Sequence, residues 1–159
     1  MSYVPMHELF PEIAMEETRT ITVLPNNEFG VLPGEYGLVE MYCDDEDCDC
    51  RRVFITVMSS VVKDSVAVVT FGWKNIDFYA KWFSSGMVLK YSDMDALSQK
   101  IVRDMHGIHL NEFSEQSKIA PAVMRMVTEC ALRDKTYVDR LKRHYKMFRA
   151  KVDEKYRNQ

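Results

Sequence analysis

The chain has only six glycines and five prolines in 159 residues. That excludes a collagen-like or low-complexity architecture. Neither G-x-G-x-x-G nor a P-loop string occurs, so no glycine-rich phosphate cradle of those kinds is encoded. There is no run of about 18 apolar residues, and no membrane-spanning helix is expected. The N-terminal Met1-Ser-Tyr-Val-Pro-Met-His-Glu lacks a basic stretch followed by an apolar one. A secretory signal is therefore not expected, and the cytoplasm is the expected compartment. His-Glu-x-x-His is missing, because His7-Glu8 has no second histidine after it. Gly-x-Ser-x-Gly and the His-x-Glu/Pro-Cys-x-x-Cys deaminase pair are missing as well.

Apolar residues are plentiful. They form 47% of the chain against 28% charged, which excludes wholesale disorder. A chain of this length buries roughly 70% of its unfolded surface and needs no disulfides to fold. One domain over residues 1–159 is expected, β-rich across 1–74 and helical across 75–159. The net charge of −3 is unevenly spread. From Arg133 to Gln159 there are 10 Lys/Arg and 4 Asp/Glu, a local +6 that leaves −9 on the rest. The net charge of −3 disfavours general nucleic-acid binding.

The first third reads as loops and short strands, punctuated by Pro5, Pro11, Pro25 and Pro33. Strands are expected at Thr20–Leu24, Tyr36–Tyr42 with Glu40 facing outward, Val53–Met58 and Val66–Phe71. The last two are nearly continuous apolar runs, as in strands covered on both faces. Short connectors favour an antiparallel meander of about four strands. After Gly72 the period turns helical. Asn75 caps Ile76–Phe83. Ser92-Asp-Met-Asp opens a helix with Met94, Leu97, Ile101 and Met105 on one face and Gly107 as its stop. A helix near Pro121 buries Val123, Met126, Val127 and Cys130. In the last one Tyr137, Leu141, Tyr145, Phe148, Val152 and Tyr156 recur at spacings of three and four. The fold class is α+β, with a β-meander first and helices after it.

Cys43-Asp-Asp-Glu-Asp-Cys48-Asp-Cys50-Arg-Arg departs most from structural expectation. Cysteine is usually buried, yet three thiols gather here in an acidic strand-to-strand corner. Thiolate is a soft ligand suited to tetrahedral zinc, and Cys43, Cys48 and Cys50 are the expected ligands of a structural zinc. Arg51 and Arg52 offset part of the thiolate charge, while the acidic neighbours attract a cation and also raise the thiol pKa values. A fourth ligand would come from Cys130, His7, His106, His109, His144, one of Asp44, Asp47 and Asp49, or water. An incidental acidic hairpin and a regulatory thiol pair are the competing readings. An EF-hand is disfavoured, since the Gly and terminal Glu are missing.

The strings Phe10-Pro-Glu-Ile-Ala, Glu17-Thr-Arg, Leu32-Pro-Gly-Glu-Tyr-Gly, Glu40-x-Tyr-Cys43, Cys48-Asp-Cys50-Arg-Arg-Val53 and Phe71-Gly-Trp73 resemble a group of uncharacterised bacterial proteins. Some of these carry an appended SEC-C metal-binding motif. The resemblance covers the first half well and the helical half loosely, and this chain has no second Cys pair near its C-terminus. It implies that the cysteines act together, and implies no substrate.

Three further features carry ordinary structural readings. Cys130 with His144 is a conceivable nucleophilic pair, but a core thiol is the simpler role. Phe71, Trp73, Phe78, Tyr79, Trp82 and Phe83 could line a pocket, and at this spacing core packing is favoured. Arg140, Lys142, Arg143, Lys146, Arg149 and Lys151 could meet an anionic partner, lie on a solvated helix face, or turn inward onto the acidic body. The expected function is a zinc-stabilised domain acting through an unidentified protein partner. The alternatives are a metal- or thiol-dependent enzyme and nucleic-acid binding by the basic helix.

Overall fold

The computed structural model describes residues 2–159. Its strands are β1 (Tyr3–Pro5), β2 (Arg19–Val23), β3 (Gly34–Cys43), β4 (Arg52–Ser59), β5 (Asp64–Gly72) and β6 (Gly107–Leu110). The helices are α1 (Met6–Leu9), α2 (Pro11–Glu17), α3 (Ile76–Phe83), α4 (Ala96–Met105), α5 (Ala120–Val127) and α6 (Lys135–Arg157). All pairings are antiparallel, in the order β1-β3-β4-β5-β6, with β2 beside the first half of β3. The expected α+β meander is present as β3-β4-β5, extended to six strands.

Alternation on β3 sets one face of the sheet. Tyr36, Leu38, Glu40 and Tyr42 are buried, and Ile55 and Val57 opposite them are buried too. Over this face lies α6, whose Tyr137, Leu141, Tyr145, Phe148 and Val152 form the apolar stripe expected of it. Each such aromatic or aliphatic side chain contributes roughly 1.5–3 kcal/mol when fully buried.

The second face is less covered than the apolar runs imply. On β4, Phe54 and Thr56 are half-buried and Met58 is exposed. Only the β5 side is shielded, where α4 presses Val102 against Tyr79 and Ala80 of α3. Of the apolar face expected on α4, Met94 and Met105 pack against this cluster. Leu97 and Ile101 are exposed, because the helix docks through Val102 and turns these two over the open half of the sheet. Its start is also later than expected: Asp95 caps it by accepting from the Ser98 amide at 2.9 Å, and Ser92 lies in a short 3-10 turn before it.

Gly72 is where α3 and α4 close on β5. A Cβ there would sit 2.1 Å from the Met105 carbonyl oxygen and 2.7 Å from Tyr79 Oη. Backbone cannot yield cheaply. Gly72→Ala is expected to cost about 2–3 kcal/mol by urea denaturation. Gly37→Ala, with nothing within 4 Å, is the matched control and should stay within about 0.5 kcal/mol of the parent.

Candidate metal centre

β3 ends at Cys43 and β4 begins at Arg52, so residues 44–51 form the corner that carries Cys48 and Cys50. The three Sγ atoms all lie within 4.8 Å of one another. Sulfurs around one tetrahedral zinc at about 2.3 Å would be ~3.8 Å apart, so small side-chain rotations close the remaining gap. Cys43 and Cys50 are buried and Cys48 is partly exposed, and none is in a disulfide. No helix among the described residues is long and apolar enough to cross a membrane.

The loop is held from outside. Arg149 of α6 is buried and donates to the Cys43 carbonyl at 2.7 Å and to the Asp45 carbonyl at 2.8 Å, while pairing with Asp153 at 2.7 Å. Tyr156 donates to the Asp44 carbonyl at 3.2 Å. Tyr145 accepts from the Arg51 amide at 3.1 Å, and Tyr79 donates to the Arg51 carbonyl at 2.8 Å. Asp47 and Arg51 both have left-handed backbones, with φ of 52° and 47°. Non-glycine residues in that region cost about 1–3 kcal/mol each and persist only where surroundings impose them. The two strained residues flank Cys48 and Cys50.

Electrostatics within the cluster favour one shared negative charge. Hydrogen bonds from Cys43 and then Cys50 pull the Cys48 thiol well below its ordinary pKa, with Arg149 adding a smaller attraction. The same bonds raise Cys43, with Cys48 the leading cause. Cys50 is drawn down by Cys43 but pushed up further by Cys48 and burial. The Asp45 amide donates to Cys43 Sγ at 3.5 Å, and Tyr3 Oη lies 3.8 Å from Cys50 Sγ. Of the two cations expected to offset this charge, Arg51 and Arg52, Arg51 is paired with Asp49 at 2.8 Å, and Arg149 is a further cation that attracts Cys48.

None of the side chains considered as fourth ligand belongs to this cluster. Cys130 lies in a wide π-type turn, Thr128–Leu132, which rotates it off the stripe of Val123, Met126 and Val127 and leaves it partly exposed, correcting its expected burial. Its carbonyl accepts from Arg19, which sits opposite Leu38, five residues along β3 from Cys43. His106 Nδ1 donates to the Lys74 carbonyl at 2.9 Å, and His109 Nε2 to the His106 carbonyl at 2.7 Å. His7 is exposed beside α2. Asp44 accepts from Ser2, Asp49 pairs with Arg51, and Asp47 is exposed.

His144 belongs to a second site that the sequence reading missed. Glu40, expected to face outward, is buried, with Oε2 2.7 Å from His144 Nδ1 and 2.8 Å from the donating Tyr42 hydroxyl. His144 Nε2 is bonded to Glu17, which also takes Arg143 at 2.8 Å. Burial disfavours the imidazolium, but the bonds to Glu40 and Glu17 more than offset it, and the His144 pKa is raised. Arg143 first, then His144, hold Glu17 below the usual carboxylate range. With Arg140 donating to the Glu17 carbonyl at 3.0 Å, three of the basic side chains of α6 bind the chain's own body. A Cys130–His144 nucleophilic pair is not formed, since both ring nitrogens face carboxylates.

No family model, curated protein or solved structure matches this chain. Its chemistry is read from the three sulfurs and their surroundings.

Proposed function

We propose that the chain is a zinc-stabilised cytoplasmic domain that works through contacts with a protein partner, with Cys43, Cys48 and Cys50 giving three thiolates to one ion. The observation that carries this reading is the convergence of the three Sγ atoms within 4.8 Å. Soft sulfur donors at that spacing suit zinc better than hard cations. Arg149 and the strained Asp47 and Arg51 fit a loop shaped in advance for a ligand.

Protein purified under reduction without chelator should contain about one zinc per chain by elemental analysis. The double variant Cys48→Ser/Cys50→Ser should contain less than a tenth of that. Freshly purified, reduced parent protein without metal would end this reading.

A second reading is supported by the donor count. Three protein sulfurs leave a coordination position for solvent, as at catalytic zinc sites. X-ray absorption at the zinc edge separates the two. An exchangeable oxygen ligand supports metal-dependent chemistry, whereas a fourth fixed protein ligand supports a structural role.

A further inference from the structure

The open half of the sheet forms a groove of about 770 Å³ that the metal reading leaves unused. Tyr3, Met41, Phe54 and Thr70 form its floor, and Leu97 and Ile101 of α4 form a wall. This volume lies within the range of small-molecule sites. Apolar side chains stand uncovered at its rim: Leu97 is 71% exposed and Phe113, in the loop after β6, 97%.

On the floor lies Arg52, only 7% exposed. Its guanidinium stacks over the Phe54 ring at 5.2 Å, and its Nε is sealed from solvent without an acceptor. Among the described residues no hydrogen bond or ion pair answers this side chain. The other buried cations have such partners: Arg149, whose own Nε also lacks an acceptor, has two carbonyls and Asp153, and His144 has Glu40 and Glu17. A buried charge without a partner is costly, and a bound anion would relieve it.

We propose that the groove binds a free apolar monocarboxylate of the medium-chain fatty acid class. Its carboxylate would sit on Arg52 and its chain would run along Met41, Phe54, Leu97 and Ile101. One guanidinium matches one planar carboxylate in charge and in paired donors. Apart from Arg52 the walls carry Lys100 against Asp104 and Glu112, so they favour no further negative charge and a dianion would keep an uncompensated one.

Calorimetry on the full, metal-loaded chain tests this with dodecanoate, below its micelle threshold, and dodecanol. Dodecanoate should bind at one site at least tenfold more tightly than dodecanol. Arg52→Met should weaken dodecanoate at least tenfold and leave dodecanol unchanged. Leu97→Glu/Ile101→Glu changes exposed positions, so folding should survive, and it should abolish dodecanoate binding. Equal binding of acid and alcohol, no binding of the acid, or full binding by the double variant would overturn the proposal. So would Arg52→Met losing zinc while dodecanoate fails to bind the parent, since Arg52 would then serve the thiolates alone.

Discussion

Replacing Arg149 with methionine is expected to cost about 3–5 kcal/mol of folding stability and to loosen the cysteine loop. The guanidinium is buried and bonds the carbonyls of Cys43 and Asp45 together with Asp153. Methionine fills much of the space but donates nothing. Two carbonyls and one carboxylate oxygen then lose their donor, at about 1–3 kcal/mol for each group that stays dry. Lysine should recover less than half of the loss, because a single ammonium cannot span three acceptors set for a planar fork. The same change should speed metal release to a colorimetric chelator, since both carbonyls lie within the Cys43–Cys50 segment. Urea denaturation gives the first number and the chelator assay the second. A cost below about 1 kcal/mol with unchanged metal release would show that α6 does not hold the loop.

Most of the sheet and α3 and α6 were legible because their periodicity is strong and local. β3, β4 and β5 lie within two residues of their expected bounds, and Asn75 caps α3 by accepting from the Phe78 amide at 2.8 Å. The N-terminal elements were not legible. Tyr3–Pro5 is a strand only because it pairs with Met41–Cys43, nearly forty residues away, and three residues carry no period of their own. Pro11 read as loop punctuation, yet it occupies the first turn of α2, where its missing amide costs nothing. β6 has four residues and exists because it can extend the β5 edge.

The cysteine corner was legible because the three thiols are close in sequence and a hairpin turn brings them together. Arg149 was not, since its partners are backbone carbonyls more than a hundred residues away. Glu40 and His144 were misread because side-chain type was weighed above position. Glu40 shares the parity of Tyr36, Leu38 and Tyr42, all buried, and His144 lies three residues after Leu141 and four before Phe148 on the buried stripe. A charged residue on the wrong parity of a strand and a histidine on the apolar stripe of a helix were a findable pair. Each is costly to bury alone, and together they answer one another.

That pairing sets the other large expected effect, which depends on pH. Glu40→Leu should cost about 3 kcal/mol near pH 5.5. It removes one of the two carboxylates of a buried imidazolium and leaves Nδ1 without an acceptor, with Glu17 alone on Nε2. The raised His144 pKa fixes the sign. Its stabilisation is fully present below the ordinary value of 6.5 and is lost as pH rises through the folded pKa. Glu17, held low, behaves in the opposite way: its contribution is present above the ordinary 4.5 and is lost as pH falls through its folded pKa. The ion pairs therefore contribute most between those two ordinary values, and alkaline titration of His144 removes its share. The difference in unfolding free energy between parent and Glu40→Leu should thus shrink from pH 5.5 to pH 9. The thiols are shared by parent and variant, so any contribution of theirs cancels in the difference. A difference that stays flat across that range would mean that His144 carries no charge in the fold and that Glu40 contributes through packing alone.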